Sequence, residues 1–221
     1  MTSPELLAIF ANLVALIFAI TSHEAAHGAM AFAFGDDTAK RAGRLSFNPL
    51  RHVDPFGTVI LPGLLFLTHA PMLFGWAKPV PVDFLALRPK RLGMILVAFA
   101  GPGANIMLAW ISALLLHING DANTLGNEIL VNSFHINLFL AVFNLLPIPP
   151  LDGGRIAVGL LPRNLAMGLA KIEPYGLMIL MLTFFVSAIV RNMGIPFNPV
   201  MDIMLPVVRA LSSAVLFLSG H

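Results

Sequence analysis

Between Leu6 and Ile20 the only polar side chain is Asn12, and this apolar run leads into His23-Glu24-Ala25-Ala26-His27. A stretch of that kind either crosses a bilayer or lies in a deep core. Composition decides between the two. The chain is 57% hydrophobic and 11% charged, whereas soluble domains carry roughly 25% charged residues. Too few polar side chains are left to cover a globule, so the run is read as a membrane helix. In the spelling H-E-x-x-H, His23 and His27 fall at i and i+4, and one helix face offers two imidazoles to a single metal ion. Glu24 stands beside them, placed to take a proton from a metal-activated water. Ionisable groups at membrane depth are costly and mark function.

Pro4 suits a first helical turn after an N-capping Ser3, and Gly35 with Asp36-Asp37 forms a stop. The helix predicted between them is about 45 Å long, more than the roughly 30 Å hydrocarbon core. His27 then lies about two turns from its far end. The first helix lacks a basic leader region and carries the metal motif, so it is expected to be retained. A polar loop follows with Lys40, Arg41, Arg44 and Arg51, and a short strand is expected at 44–48. Segment 56–74 is apolar but broken by Gly57, Pro62, Gly63 and Pro71, so it either crosses or dips in and returns. Alternating prolines in 76–82 fit an extended edge segment. Further apolar runs occupy 92–116, 129–146, 175–190 and 200–218.

The expected fold is therefore an all-α polytopic membrane protein with about five to six membrane helices, a re-entrant segment and a short extended or β element. It is expected to form one integral membrane domain over 1–221, with a catalytic core at about 4–160 and additional helices at about 174–219. If 56–74 is re-entrant, eleven of the thirteen Lys and Arg residues share one face, with Arg191 and Arg209 as exceptions. By the positive-inside rule that face is cytosolic, and it is the one closer to His27. A net charge of +2 without a dense basic patch argues against a nucleic-acid partner. Cysteine is absent, so a metal has to be held by His, Asp or Glu.

A catalytic zinc usually takes three protein ligands and keeps one position open. Asp152 is the best third candidate, because it ends the proline-broken stretch 144–151 and precedes Gly153-Gly154. Irregular backbone at membrane depth is tolerated only beside protein or a water-filled cavity. Glu128 and Glu173 are the other downstream carboxylates weighed for that place, and neither stands within a second motif. Asn105 follows Gly101-Pro102-Gly103, where its amide either serves the site or satisfies broken backbone. His52 and His135 read as structural, the methionines as packing, and Arg155 as a site charge or an interfacial anchor.

Taken together, His23-Glu-Ala-Ala-His27, Asn144-Leu-Leu-Pro and Leu151-Asp-Gly-Gly-Arg155 resemble the site-2 protease family of intramembrane zinc metalloproteases. The stretches 43–50, 54–57 and 75–82 resemble its compact prokaryotic branch, which has no PDZ domain. The likeness covers about residues 10 to 160. It implies one Zn2+ per chain on His23, His27 and Asp152, with Glu24 as general base. It also implies that Asn144 contacts the substrate or transition state. Membrane-embedded protein substrates are the partners implied, with the lipid bilayer as surroundings; oligomeric state is left open. The extended segment 76–82 is expected to pair with an unwound substrate strand. A membrane metal-ion transporter and a catalytically silent scaffold are the alternatives.

Overall fold

In lipid, backbone N–H and C=O groups have to be satisfied within their own segment, so apolar runs with few breakers become helices. The computed structural model describes residues 3–67, 77–120 and 124–220. Helix α1 spans Ser3–Ala33 and is followed by a one-turn helix α2, Thr38–Arg41. A 3-10 turn at Pro49–Arg51 and a π-helical turn at Pro55–Ile60 lead into α3, Leu61–Leu67. Then come α4 at Lys90–Asn119, α5 at Leu125–Asn144, α6 at Asp152–Leu160 and α7 at Arg163–Ala170. The chain closes with α8, Glu173–Asn192, and α9, Pro199–Ser219. Five of these, α1, α4, α5, α8 and α9, are long and apolar enough to cross a membrane.

The packing is inside out relative to a soluble bundle. Ala11, Ala15 and Ala19 form a buried stripe on α1, while Phe10, Leu13 and Phe18 are each more than half exposed. Lipid solvates leucine as well as a protein core does, so small residues that let backbones approach occupy the interior. Helices α1, α4 and α5 pack against one another around that interior. Ala109 and Ala113 of α4 meet Phe134 and Leu138 of α5 and Val215 of α9. Val142, in the last turn of α5, and Leu146, just past it, meet Val200 and Met204 of α9.

Three hydrogen bonds pin the polar end of this bundle. Arg88 N–H donates to the Phe34 carbonyl at 2.9 Å, so residues 35–87 leave from and return to the same end of α1. Asp36 accepts from Thr38 N–H at 2.9 Å and from Asp83 N–H at 2.7 Å, tying the same two stretches together. Burial works to raise the Asp36 carboxyl, but these bonds outweigh it and hold the group below the usual carboxylate range.

One expectation changes. No strand is present among the described residues. At 44–48 the chain bends instead: Ser46 Oγ accepts from Asn48 N–H, and Asn48 Oδ1 caps the next turn at Leu50 N–H. Short polar side chains that bond their own backbone displace ladder pairing. Residues 77–83 are non-helical but belong to no ladder, and Trp76 lies outside the described residues. For segment 56–74, the part up to Leu67 is helical, and 68–74 lies outside the described residues.

Candidate metal centre

Four residues apart on α1, His23 and His27 present their rings to the same side, with centroids 4.6 Å apart. The Nε2 atoms are 3.0 Å from each other. Asp152, the first residue of α6, brings Oδ2 to 3.2 Å from His23 Nε2 and 3.3 Å from His27 Nε2. Among the described residues this is the one place where three such side chains could hold a metal ion.

Local sequence explains how Asp152 arrives. Helix α5 ends at Asn144, and the prolines at 147, 149 and 150 prevent its continuation. The chain then doubles back tightly enough that a Cβ on Gly153 would collide with the Leu145 and Leu146 carbonyls. One on Gly154 would collide with Pro149 N and lie 2.7 Å from Pro149 Cα. The glycine pair therefore lets α6 start directly against the break. At its other end Arg91 donates to the carbonyls of Gly159, Leu160 and Leu161, which fixes the helix whose first residue is Asp152.

The donor set fits zinc. His27 Nδ1 lies 2.7 Å from the Val97 carbonyl, which can only accept, so the proton sits on Nδ1 and Nε2 carries a lone pair. His23 Nδ1 lies 2.7 Å from Asn105 Oδ1 and donates likewise. Neither Nε2 can then donate to Asp152, and Oδ2 is buried without a hydrogen-bond partner. Three electron-rich atoms facing one another repel unless a cation joins them. Their separations are close to the edge of a tetrahedron with bonds of about 2.0–2.1 Å, roughly 3.3–3.4 Å. Gly101 completes the cradle: a Cβ there would lie 2.5 Å from His27 Nε2 and 2.6 Å from His23 Nε2.

Glu24 is on the same helix turn and is turned towards 77–83, where its Oε2 accepts from Val80 N–H at 2.8 Å. Gly28 allows that approach, with Val80 Cγ1 at 3.2 Å from where a Cβ would stand. Asn144 donates from Nδ2 to the Leu140 carbonyl at 3.0 Å, within its own helix. Glu173 pairs with Arg155 at 3.1 Å, and that guanidinium also lies over the Phe84 ring at 4.9 Å. Arg155 is thus a latch between α6, α8 and residue 84, and Glu173 is committed elsewhere. His52 is buried, with Nε2 against the Ser46 carbonyl, and serves the loop.

Similarity to known proteins agrees with this geometry. The "Putative zinc metalloprotease YwhC" of Bacillus subtilis is 40% identical over 179 residues, 77% of this chain and 78% of that protein. The chain belongs to peptidase family M50. The profile of that family, described as Peptidase family M50, matches residues 119–187, which include Asn144 and Asp152. Rip2 of Mycolicibacterium smegmatis, a relative with the same description as YwhC, is 29% identical over 180 residues, 79% of this chain and 66% of its own. MJ0611 of Methanocaldococcus jannaschii, again so described, is 46% identical over 70 residues, 32% of this chain and 35% of its own. No solved structure matches the chain. The M50 chain is a multi-pass membrane zinc metalloprotease, and Zn2+ is its metal.

Sequence reasoning left Asn105 open, missed Gly101 and Val97, and gave Val80, within 76–82, a part in substrate pairing rather than in holding Glu24. A backbone carbonyl or N–H leaves no mark in sequence, so Val97 and Val80 had no signal to find. Gly101 had one, its place four residues before a buried asparagine on the helix that faces α1.

Proposed function

We propose that this M50 protease is an intramembrane endopeptidase, cutting peptide bonds within or near transmembrane segments of other proteins. One observation carries the reading: three lone-pair atoms within 3.3 Å of one another, two of them on a membrane-length helix whose other faces are apolar and exposed. His23 and His27, through Nε2, and Asp152, through Oδ2, hold the metal. When bound there, zinc supplies Lewis acidity, lowering the pKa of water towards about 7 and polarising a carbonyl.

Glu24 is the general base. Its Oε2 is held by Val80 N–H, and its other oxygen takes a proton from the attacking water as the new C–O bond forms. The same carboxylic acid then gives that proton to the amide nitrogen as the C–N bond breaks. Asn144 is assigned as donor to the developing oxyanion; one of its two Nδ2 hydrogens is engaged by the Leu140 carbonyl. The basic face that carries eleven of thirteen Lys and Arg residues is assigned to the cytosol, with the site nearer to it. Membrane-embedded proteins are the substrates and the bilayer the working medium.

Metal analysis and product mapping test this together. Purified protein is expected to hold one zinc per chain, and Asp152→Ala to lose it. Fragments of a membrane substrate should have new ends inside or beside its span. Ends confined to soluble loops would reject the intramembrane assignment.

A second prediction concerns Val80. Proline there deletes the N–H that holds Glu24, and a catalytic group misplaced by about 1 Å costs on the order of 100-fold. The same substitution would also hinder strand pairing with an unwound substrate. The two effects separate on an unstructured peptide, which needs no unwinding. Val80→Pro is expected to slow its cleavage as much as that of a helical substrate, with zinc content unchanged. A defect limited to helical substrates would assign Val80 to pairing instead.

A further inference from the structure

Behind His23 runs a thread of polar side chains that the chemistry above does not use. Asn105 on α4 and Asn137 on α5 are both fully buried. Asn105 Nδ2 donates to the Ala19 carbonyl at 3.2 Å and to Asn137 Oδ1 at 2.7 Å. Asn137 Nδ2 donates to the Ser133 carbonyl at 2.8 Å and to Ser133 Oγ at 3.1 Å. Ser112 Oγ joins the far end, donating to Ser133 Oγ at 2.9 Å.

The direction of this thread is fixed by two atoms that can only accept. The Ser133 carbonyl requires an N–H from Asn137, which turns Asn137 Oδ1 towards Asn105. The Ala19 carbonyl and Asn137 Oδ1 both require N–H from Asn105, which leaves Asn105 Oδ1 facing His23 Nδ1. An oxygen there demands a proton on Nδ1, and Nε2 is left with its lone pair. Turning either amide over would put two donors or two acceptors face to face in a fully buried position, a costly arrangement.

We propose that Asn105 and Asn137 are positioning residues for the metal site. They form a two-amide relay, anchored on the Ala19 and Ser133 carbonyls, that holds His23 in the one tautomer and ring orientation able to ligate zinc. This rests on the reading of His23 as a ligand. His27 achieves the same end with a single backbone carbonyl, that of Val97. A mere interhelical stitch would need Asn105 only as a donor to α1 and α5, and its contact with the ring would be incidental.

Zinc affinity of the full-length protein in detergent, measured by chelator competition, separates the two. Asn105→Leu and Asn105→Asp both abolish the donations to Ala19 and Asn137, but only the aspartate keeps an acceptor at His23 Nδ1. Loss of an outer-shell partner typically costs about 10- to 100-fold in metal affinity, and Asn105→Leu is expected in that range. Asn105→Asp is expected to recover most of it, staying under about 10-fold. Equal losses in the two variants, or none in Asn105→Leu, would overturn the relay. If Asn105→Leu does not fold, Asn137→Leu, one step farther from the metal, is expected to weaken zinc binding by a smaller factor. Binding unchanged in that variant would refute the proposal. A His27→Ala protein that keeps its zinc would instead sink the site assignment, and the relay with it.

Discussion

Glu24→Gln is expected to leave zinc in place and remove cleavage. The two side chains have nearly the same shape, and the amide oxygen of glutamine can still accept from Val80 N–H, so segment 77–83 stays docked on α1. The ligand triad of His23, His27 and Asp152 does not include Glu24, so metal content should not change. The lost property is basicity. A positioned general base contributes about 10²- to 10⁴-fold, and turnover should fall by that factor or more. Comparing the membrane proteomes of cells carrying wild type and the variant reads the effect directly. Fragments whose new ends lie within a span should disappear, while metal analysis still finds one zinc per chain. Wild-type turnover by the glutamine variant would remove Glu24 from the mechanism.

Gly101→Ala should fail for the opposite reason, by losing the metal. A methyl on residue 101 would lie 2.5 Å from His27 Nε2 and 2.6 Å from both Cε1 and Nε2 of His23. Neither ring can give way easily, because Val97 and Asn105 hold the Nδ1 atoms from behind at 2.7 Å. The methyl therefore occupies the space in which the Nε2 lone pairs converge. Zinc affinity is expected to drop by at least the roughly 100-fold upper range for loss of an outer-shell partner. Gly103→Ala is the control. Its Cβ would meet only the Phe99 ring, at 3.4 Å, and it should bind zinc normally. Normal binding by Gly101→Ala would mean that the cradle is wider than described.

Much of this was legible in the residues. The i, i+4 spacing of His23 and His27 sets them on one helix face wherever that helix goes, so their convergence needed no tertiary information. The five long helices were readable because lipid imposes a length and an apolar composition on anything that crosses it. Asp152 was readable because prolines end one helix just before an acidic residue and two glycines.

What escaped depends on long-range approach. Asn105 meets His23 across 82 residues and Asn137 across 32, and no local pattern announces either contact. Gly101 stood in the sequence only as a residue before Asn105, and its real neighbours are the His23 and His27 rings. The strand expected at 44–48 does not form because Ser46 and Asn48 bond the local backbone instead. Arg155 could not be assigned because its partners, Glu173 and Phe84, come from two other parts of the chain.

The bond between Arg88 and Phe34 brings the two ends of segment 35–87 to one face. A detour that begins and ends at one face contributes an even number of crossings, whatever its length or path. Lengthening such a detour costs little, since closure entropy grows only with the logarithm of loop size. Residues 35–87 can therefore be enlarged or trimmed without turning α4 and α5 upside down, and the parity of the chain protects the orientation of the ligands.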